Sequence, residues 1–585
     1  MTSDTATEAE QGHALGEQPP TWQGRLRRFG YPGRPQTHVR ERLVPPFPPP
    51  GTRLWAALGL GPAASDRLAR WSGWGGPLLV ALLAGLIRFW HLGSPKAVIF
   101  DETYYAKDAW SLLKYGYEGT WPKAANDALL ADPQRILLNP EHSYVVHPPI
   151  GKWIIGVGEQ LFGLTPFGWR FLVAVLGTLS VLMLCRIGRR LLRSTVLGCL
   201  AGGLMAVDGL HYVMSRTALL DLVVMFWVLA AFGCLLVDRD KARARLAAAL
   251  PDGPDRVVAE RLGLGLRPWR IAAGVTLGLA CATKWNGLYY LAAFGVMAVL
   301  WDLGARRTGG ARRPLRAMLR RDIWPAYLSL VPVAVVTYIA SWAGWFNSKD
   351  GYFRDWAETD GAGSSWSFVP GPLRSLWHYQ SEVYEFHTHL TSPHAYQSNP
   401  WSWLIQARPV SYFYEGPKAG RDGCQSAGGC AREVLALGTP LLWWAACFAL
   451  LYALYRWGFR RDWRAGALLC GVAAGYLPWF NYQERTIFVF YAVVFVPFLC
   501  LALAMMIGAL IGPPLPPPDQ RTPPPLGGAG PGFGRAERRR MIGVITAGVL
   551  VLLIIWNFIY FFPIYTGQMI PKDAWQNRMW LDTWV

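Results

Sequence analysis

The sequence TALLDLVVMFWVLAAFGCLLV, at residues 217–237, decides the fold class of this chain. It contains one charged side chain, Asp221, and a helix of about 20 apolar residues is long enough to cross the hydrocarbon core of a bilayer. A second apolar run, residues 195–213, precedes it, and the polar pair Ser215-Arg216 lies between the two. The stretch therefore predicts two consecutive membrane helices joined by a short polar turn.

The composition extends this prediction to the whole chain. Of the 585 residues, 52% are hydrophobic and 16% are charged, and 30 are tryptophans. Soluble domains carry about 25% charged residues, so the composition excludes a soluble enzyme and predicts an all-α polytopic membrane protein. The net charge of +19 is concentrated in connections between apolar segments. This distribution is typical of membrane orientation signals, and we expect no nucleic-acid partner.

Apolar segments that predict eleven membrane helices lie at residues 77–92, 169–188, 195–213, 217–237, 271–283, 286–302, 323–346, 439–457, 465–480, 486–511 and 541–563. Every second connection is rich in arginine, whereas the intervening connections carry Asp, Glu, His and aromatic residues. Because arginine-rich loops stay in the cytoplasm, eleven helices place the N-terminus in the cytoplasm and the C-terminus outside the cell. Ten or twelve helices would break this alternation.

The chain divides into a tail and one membrane domain. Residues 1–73 are polar, basic and Pro-rich and predict a disordered cytoplasmic tail, whereas residues 74–585 form the transmembrane domain. Residues 93–168 and 347–438 are its two long outer loops. The Pro- and Gly-rich residues 513–540 predict a disordered cytoplasmic linker.

An acidic pair follows the first membrane segment. The motif FDETYY, residues 100–105, opens the first outer loop, where the head group of a lipid-linked substrate would lie. Ionisable groups at a membrane border are candidates for function, which favours Asp101 and Glu102. Asp is also a favoured residue at a helix N-terminus, so the motif alone leaves both a catalytic and a capping role open for Asp101.

Basic residues on the predicted outer side form a second group of candidates. They lie at the ends of apolar segments: Arg170, Arg216, Lys284 and Arg485. Because outer loops are normally poor in basic residues, this clustering indicates an anionic ligand such as a lipid phosphate. Ordinary ion pairs, of Arg216 with Asp221 or of Arg485 with Glu484, are the alternative.

The first outer loop also contains the motif HPPIGKW, residues 147–153. Two prolines favour the start of a helix, and the apolar run that follows, through Leu161, is too short to span a bilayer. It therefore predicts a helix that lies in the membrane interface. His147 either contacts the substrate or has a packing or capping role.

The large outer loop is rich in aromatic residues and histidines. Trp401, Trp403 and Tyr412 offer flat surfaces that suit sugars and extended peptides, although Trp and Tyr are also common at membrane borders. The H-x-H-x4-H motif at residues 387–394 permits a metal site, but no carboxylate has a suitable spacing. We therefore expect no cofactor, with a divalent metal as the less favoured alternative.

Two of the nine cysteines share a polar loop. Cys424 and Cys430 lie on the side that the arginine pattern assigns to the exterior, where disulfides persist. The five residues between them include two glycines, which allows the two Cα atoms to approach within bridging distance. A disulfide is predicted, and two free thiols are the alternative.

Taken in order, these elements resemble the protein O-mannosyltransferases, a family of GT-C membrane glycosyltransferases. The elements are residues 100–105, 147–152, 168–170 and 215–221, Lys284, and residues 401–412. The resemblance runs from about residue 77 to the end of the sequence, and it is strongest toward actinobacterial members. It implies the GT-C fold for the membrane domain.

The resemblance also implies an activity: transfer of one mannose from polyprenyl-phosphate-mannose to Ser or Thr of secreted proteins, during export and with inversion, at the outer face of the plasma membrane. A hydroxyl nucleophile needs a base, and Asp101 matches the catalytic carboxylate of the family, whereas Glu102 would orient the sugar or a cation. Cations must offset the charge that develops on the leaving phosphate. The candidates are Arg170 and Lys284, followed by Arg216, Arg408 and Arg485.

The remaining candidate residues divide between donor and acceptor. By the same resemblance, Asp221 and His147 belong to the donor site. Trp401, Trp403 and Tyr412 belong to a loop that contacts the acceptor.

Two other functions remain open at this point. A GT-C enzyme could move another lipid-linked sugar, such as arabinose, to a cell-wall glycan or lipid, and Asp101 does not discriminate between the two transfers. A transporter or flippase would need internal repeats, broken helices and polar groups at the bilayer centre. The sequence shows no repeat, and its ionisable residues lie mostly at the outer helix ends.

Overall fold

A computed structural model of the chain describes residues 38–46, 62–363, 365–512 and 535–585. Its helices are α1 (Val39–Leu43), α2 (Pro62–Phe89), α3 (Glu102–Tyr115), α4 (Ala125–Ala131), α5 (Ile150–Phe162), α6 (Pro166–Leu192), α7 (Thr195–Ala206), α8 (Gly209–Met214), α9 (Leu220–Ala248), α10 (Arg256–Arg261), α11 (Pro268–Cys281), α12 (Gly287–Gly309), α13 (Pro314–Arg321), α14 (Ile323–Ser341), α15 (Ala343–Asn347), α16 (Gly371–His389), α17 (Pro440–Gly458), α18 (Trp463–Tyr476), α19 (Val496–Ile511), α20 (Arg535–Thr566) and α21 (Lys572–Gln576). The strands are β1 (Val410–Glu415), β2 (Cys430–Ala436) and β3 (Ile570–Pro571).

Helices occupy every apolar segment that the sequence predicts to enter the membrane. Six helical stretches of the described chain are long and apolar enough to cross a bilayer: α6, α9, α12, α14, residues 489–511 ending in α19, and most of α20. The apolar part of α2 and the whole of α7 are shorter. The prediction of a helical polytopic membrane protein is therefore confirmed, whereas the number of spans and the sides of the termini stay predictions.

The boundaries of the predicted tail are wrong. α1 lies inside it and packs Val39 and Leu43 against Leu246 of α9, because an apolar pair on a short helix gains stability by leaving water. α2 begins at Pro62, eleven residues before the predicted boundary. The rest of the tail, residues 1–37 and 47–61, lies outside the described residues.

The predicted linker also ends too late. Residues 535–540 form the start of α20, where the basic sequence RAERRR continues directly into the apolar run. A helix readily includes such flanking arginines, because the polar turns at its end remain in water. Residues 513–534 lie outside the part of the chain that the structure describes.

The large loop adds an antiparallel sheet to this otherwise mostly helical fold. Val410 of β1 lies opposite Ala436 of β2, and Ala431 of β2 lies opposite Ile570 of β3. The predicted disulfide, Cys424–Cys430, joins the connection between β1 and β2 to the first residue of β2, with Cα atoms 5.7 Å apart. The sheet thereby joins the large loop to the segment that follows α20.

A buried charge network fixes the ends of α9, α11 and α12 on one side of the bundle. Arg270 of α11 donates to Asp238 at 3.0 Å and to Asp302 at 2.8 Å. Arg267 reaches the same two carboxylates. All four side chains are nearly inaccessible, and charges at such positions require this pairing to offset the loss of hydration.

A second buried pair holds the other side of the bundle. Arg170 of α6 donates from Nε and Nη2 to the two carboxylate oxygens of Glu102, each at 2.8 Å. Its other N–H groups donate to backbone carbonyls of the loop that follows α2: Leu92, Pro95 and Ala97. Because every N–H of Arg170 has a partner and none of the side chain is exposed, the prediction that Arg170 binds the donor phosphate is wrong.

Glu102 is equally occupied. Besides Arg170, it accepts the backbone N–H of Ile99 and that of Ala218, both at 3.1 Å. The carboxylate thus joins the loop before α3 to α6 and to the segment before α9. The prediction that Glu102 is a catalytic or sugar-orienting residue is wrong, because both oxygens are buried in these contacts.

Replacing Arg170 by Gln is expected to lower the free energy of unfolding by about 3–5 kcal/mol, because it leaves the buried Glu102 carboxylate without a counter-charge. The measurement is chemical unfolding of the purified protein in detergent. Arg190 of the same helix is the matched control: its pair with Asp240 has the same 2.8 Å separation, but the two side chains are 42% and 36% exposed. Arg190→Gln should cost less than about 1 kcal/mol, and equal losses in the two variants would contradict the structural role.

Candidate active site

The backbone before α3 takes an unusual conformation. Phe100 has a φ of 47°, a left-handed value that costs energy for a residue with a large side chain. Its ring stacks on Tyr412 with the centroids 4.7 Å apart and contacts Phe490 edge-on at 5.6 Å. This packing holds the strained residue in place and fixes the direction in which the chain enters Asp101.

Asp101 is a carboxylate that the fold leaves unused. In the described structure its side chain makes no capping hydrogen bond to α3, so the capping alternative is wrong. Burial raises the pKa of Asp101 to about 6; the Lys284 ammonium opposes this shift and the Asp221 carboxylate adds to it. A carboxylate that titrates close to neutral pH is well suited to accept a proton from a hydroxyl group.

Lys284 and Asp221 form a buried ion pair beside Asp101. The Nζ of Lys284 donates to both oxygens of Asp221, each at 3.0 Å, and lies 4.2 Å from the centre of the Tyr491 ring. Lys284 occupies the turn between α11 and α12, as the sequence predicts, and Asp221 lies in the first turn of α9. The alternative pairing of Asp221 with Arg216 is wrong.

Arg485 contributes a second cation through a histidine contact. Its Nη2 donates to Nδ1 of His387 at 3.0 Å, while Nε2 of His387 donates to the carbonyl of Val146 at 2.9 Å. The Nε of Arg485 is buried without a hydrogen-bond partner among the described residues. The ion pairs of that part of the chain include no carboxylate for Arg485, so it can bind an incoming anion.

The two histidines beside Arg485 are held neutral. The rings of His147 and His387 stack with centroids 5.2 Å apart. Burial, assisted by Lys284, lowers the pKa of His147 well below its usual value, and burial and Arg485 lower the pKa of His387 to about 4. Lys152 donates to the carbonyl of His147 at 2.9 Å and contacts Glu118, so it positions His147.

Three or more potential metal ligands do not converge anywhere in the described ranges. Both ring nitrogens of His387 are engaged as described above. His389 makes a hydrogen bond through Nδ1 with the carbonyl of Glu385, and His394 packs against Phe488. The H-x-H-x4-H motif thus does not assemble a metal centre in the structure.

Two further cations predicted to bind the donor phosphate have structural roles. Arg216 donates to the carbonyls of Arg88 and Trp90 at 2.6 Å, so it caps the C-terminal end of α2. Arg408 donates to the carbonyls of Val585 at 2.9 Å and Ala395 at 2.8 Å. For both residues backbone carbonyls already accept N–H groups that the sequence assigns to the donor phosphate, and their binding of the donor stays a prediction.

The three aromatic residues predicted to contact the acceptor are placed differently from one another. Trp403 is fully buried and donates to Ser398, so the prediction is wrong for this residue. Trp401 is 72% exposed and packs edge-on against Phe480. Tyr412 is buried at the site, where a register shift between β1 and β2 leaves it as the extra residue. Such a bulge redirects a side chain, here onto Phe100.

Tyr491 and His387 are site residues whose roles sequence reasoning missed. Tyr491 lies in residues 486–511, an apolar run typical of a membrane helix. The one signal of a site residue at this position is that a tyrosine, with its hydroxyl group, occurs in an apolar run. In the structure residues 489–495 form a 3-10 helix before α19, which brings the Tyr491 ring to Lys284. For His387 the sequence offers only the H-x-H-x4-H motif, which indicates a metal site and not a contact with Arg485.

An apolar groove lies between α12, α14 and α16. The cavity has a volume of about 500 Å³. Trp285, Leu288, Leu291 and Val335 line it. Trp285 follows Lys284 directly, and its ring centroid lies 6.2 Å from that of His387. The groove offers a surface for a long hydrocarbon chain next to the buried cations.

Comparison with known proteins agrees with this architecture. A family model described as "Dolichyl-phosphate-mannose-protein mannosyltransferase" matches residues 78–341. A second model, described as "C-terminal four TMM region of protein-O-mannosyltransferase", matches residues 372–584. Together the two matches include both the Asp101 region and the Arg485 region.

Curated relatives match most of the chain. A polyprenol-phosphate-mannose–protein mannosyltransferase of Mycolicibacterium smegmatis is 41% identical, and the match covers 88% of this chain and 94% of the relative. Proteins with the same name from Mycobacterium tuberculosis and Corynebacterium glutamicum are 38% and 34% identical, with 93% and 86% of this chain covered and 97% and 92% of each relative.

The fold is shared with a solved structure. The Saccharomyces cerevisiae protein O-mannosyltransferase Pmt1-Pmt2 complex, bound to the sugar donor, superposes with a TM-score of 0.62 at 14% identity. The superposition covers 92% of this chain and 94% of that chain, so the GT-C fold is confirmed. With these family matches and identities, the chain belongs to the protein O-mannosyltransferase family, and it is a membrane glycosyltransferase.

Proposed function

We propose that this enzyme transfers one mannose from polyprenyl-phosphate-mannose to Ser or Thr hydroxyls of secreted proteins, with inversion, at the outer face of the plasma membrane. The observation that carries the proposal is the Asp101 carboxylate, which has no ion-pair partner among the described residues and lies beside Lys284, with Arg485 near Lys284. The names of the curated relatives specify a polyprenol-phosphate-mannose donor and a protein acceptor, and here both are inferred from that likeness.

In the proposed reaction Asp101 accepts the proton of the acceptor hydroxyl. The hydroxyl oxygen forms a bond to the anomeric carbon of mannose while the bond from that carbon to the phosphate oxygen breaks. Attack from the face opposite the leaving phosphate inverts the anomeric configuration. The phosphate leaves with the bonding electron pair and needs no acid, so one carboxylate is sufficient, in contrast to the pair used for glycoside hydrolysis.

The two cations would stabilise the leaving group. Negative charge grows on the phosphate in the transition state, and fixed positive groups in a buried site oppose it strongly. The Nε–H of Arg485 has no hydrogen-bond partner among the described residues. Lys284 forms an ion pair with Asp221. The apolar groove that Trp285 lines would hold the first isoprene units of the lipid.

The experiment that tests the proposal is a reconstituted transfer assay. Purified enzyme receives polyprenyl-phosphate-mannose and a peptide with one Ser or Thr, and mass spectrometry should find a single hexose on that residue. A matched peptide with Ala at the same position should remain unmodified. Preference for polyprenyl-phosphate-arabinose, or transfer to a glycan but not to the peptide, would support the alternative GT-C activity instead.

Asp101→Asn is expected to reduce the turnover number by about 10²–10⁴-fold, because the acceptor hydroxyl loses its base. Binding of the donor lipid should change little, since the two cations remain. Turnover and donor binding are measured on purified protein, with thermal unfolding as the control for folding. A variant that folds normally and retains more than about a tenth of the turnover would contradict the assignment.

The pH dependence should report the raised pKa of Asp101. The ionised carboxylate is the active form, so kcat/KM should fall as the pH decreases through about 6, whereas an ordinary aspartate would cause this loss near pH 4. Initial rates between about pH 4 and pH 8 give the profile, and circular dichroism at each pH excludes unfolding. An acidic limb centred near pH 4 would show that Asp101 is not the titrating base.

Arg485→Gln is expected to lower kcat/KM for the donor by about 10–100-fold, since it removes a charge-assisted hydrogen bond to phosphate. Arg408→Gln is the matched control. The sequence predicts that both arginines bind the donor phosphate, but in the structure Arg408 donates to backbone carbonyls. Its donor kcat/KM should stay within about threefold of the wild-type value. A larger loss of donor kcat/KM in Arg408→Gln than in Arg485→Gln would contradict the prediction and would assign phosphate binding to Arg408.

A further inference from the structure

A cluster of arginines lies at the end of α12 that is remote from the candidate active site. α12 begins at Gly287, beside Lys284, and its 23 residues end at Gly309. A helix of this length rises about 34 Å, comparable to the thickness of the bilayer core. The connection after Gly309, together with α10 and α13, therefore lies at the opposite face of the membrane.

A buried ion pair makes this region a defined structure. Arg306 near the end of α12 donates to the two oxygens of Asp322 at 2.6 and 2.7 Å. The same guanidinium donates to the carbonyl of Ala259 in α10 at 2.8 Å. Because Arg306 is fully buried and Asp322 directly follows α13, one side chain holds α10, α12 and α13 in fixed relative positions.

Between α10 and α13 the structure forms a cavity of about 250 Å³. Six arginines line it: Arg256, Arg261, Arg313, Arg316, Arg320 and Arg321. Its one acidic lining residue, Glu260, accepts the backbone N–H groups of Arg312 and Arg313, each at 2.9 Å, and lies 3.6 Å from Arg256. We call this cavity, which the six arginines line, the arginine cavity.

The positive charge of the arginine cavity is not balanced within the described chain. Of its six arginines, the ion pairs in that part of the protein include only Arg256. The pairs found nearby instead involve Arg267, Arg270 and Arg306. Guanidinium groups gathered without counter-charges repel one another, and a phosphate group, to which arginine donates in a bidentate manner, would offset this repulsion.

The side of α13 next to these arginines is apolar and exposed. Leu315 and Leu319, one turn apart, are 55% and 47% exposed, and Trp324 in the first turn of α14 is 65% exposed. A helix with arginines on one side and leucines on the side next to it lies along the membrane interface, and tryptophan is enriched at that depth. Acyl chains would therefore contact α13 on the side next to the arginine cavity.

We propose that the arginine cavity binds the phosphate head group of an anionic phospholipid from the membrane leaflet opposite the candidate active site. The arginines hold the phosphate, and Leu315, Leu319 and Trp324 contact the acyl chains. The apolar side is the reason that a lipid, and not free phosphate, is the inferred ligand. This site goes beyond the proposed mannosyl transfer and involves none of its residues.

The test is native mass spectrometry of the detergent-purified protein after titration with phosphatidylglycerol. The double variant Arg316→Gln/Arg320→Gln should bind the lipid at least about tenfold more weakly than the wild-type protein. The matched control is Arg190→Gln/Arg464→Gln, which removes two charges from the same end of the bundle but outside the cavity, where both arginines pair with aspartates. This control should bind phosphatidylglycerol like the wild-type protein.

Three further measurements make the result decisive. Thermal unfolding of each variant excludes loss of folding as the cause. Phosphatidylcholine should bind at least about tenfold more weakly than phosphatidylglycerol, and inorganic phosphate should compete poorly. Equal losses in the two double variants, equal binding of both lipids, or complete displacement by inorganic phosphate would each overturn the proposal.

Discussion

The bidentate contact between Arg170 and Glu102 is the interaction on which the site depends. It is completely buried, and it fastens the loop after α2 and the start of α3 to α6. Adjacent residues of a helix point in directions about 100° apart, so once Glu102 is fixed against Arg170, Asp101 must face elsewhere. Two neighbouring carboxylates thereby separate into one that carries structure and one that is free for chemistry.

Hydrogen bonds within the fold also determine which of the predicted cations can bind a ligand. A guanidinium that donates to backbone carbonyls or to a buried carboxylate has little remaining capacity for a ligand, and this applies to Arg170, Arg216 and Arg408. Arg485 differs because its partner is a neutral histidine and one N–H has no partner among the described residues. The capacity of each cation to bind a ligand therefore depends on the hydrogen-bond partners that it already has in the fold. Its position along the sequence does not reveal this capacity.

The sequence predicts the helices well because burial in a membrane requires long apolar runs, and each run can be recognised without its neighbours. It also places Lys284 in a turn and Asp101 at the start of a helix. The pairing of Arg170 with Glu102 joins residues far apart in the chain, and no local pattern distinguishes that contact from a phosphate contact. The prediction that Trp403 contacts the acceptor is wrong for a related reason. The composition of the loop suggests an exposed aromatic surface, and only the tertiary packing shows that the Trp403 ring is buried.

Asp221 explains how a base can operate beside a cation. A lone ammonium near Asp101 would favour the ionised carboxylate and lower its pKa, which would make Asp101 a weaker base. The Asp221 carboxylate binds Lys284 through both oxygens and acts on Asp101 in the opposite sense. In the proposed transfer Lys284 attracts the donor phosphate, and its effect on the pKa of Asp101 is partly cancelled by Asp221. One buried pair thus reconciles two requirements of the proposed transfer, a positive group for the donor and a carboxylate that accepts a proton near neutral pH.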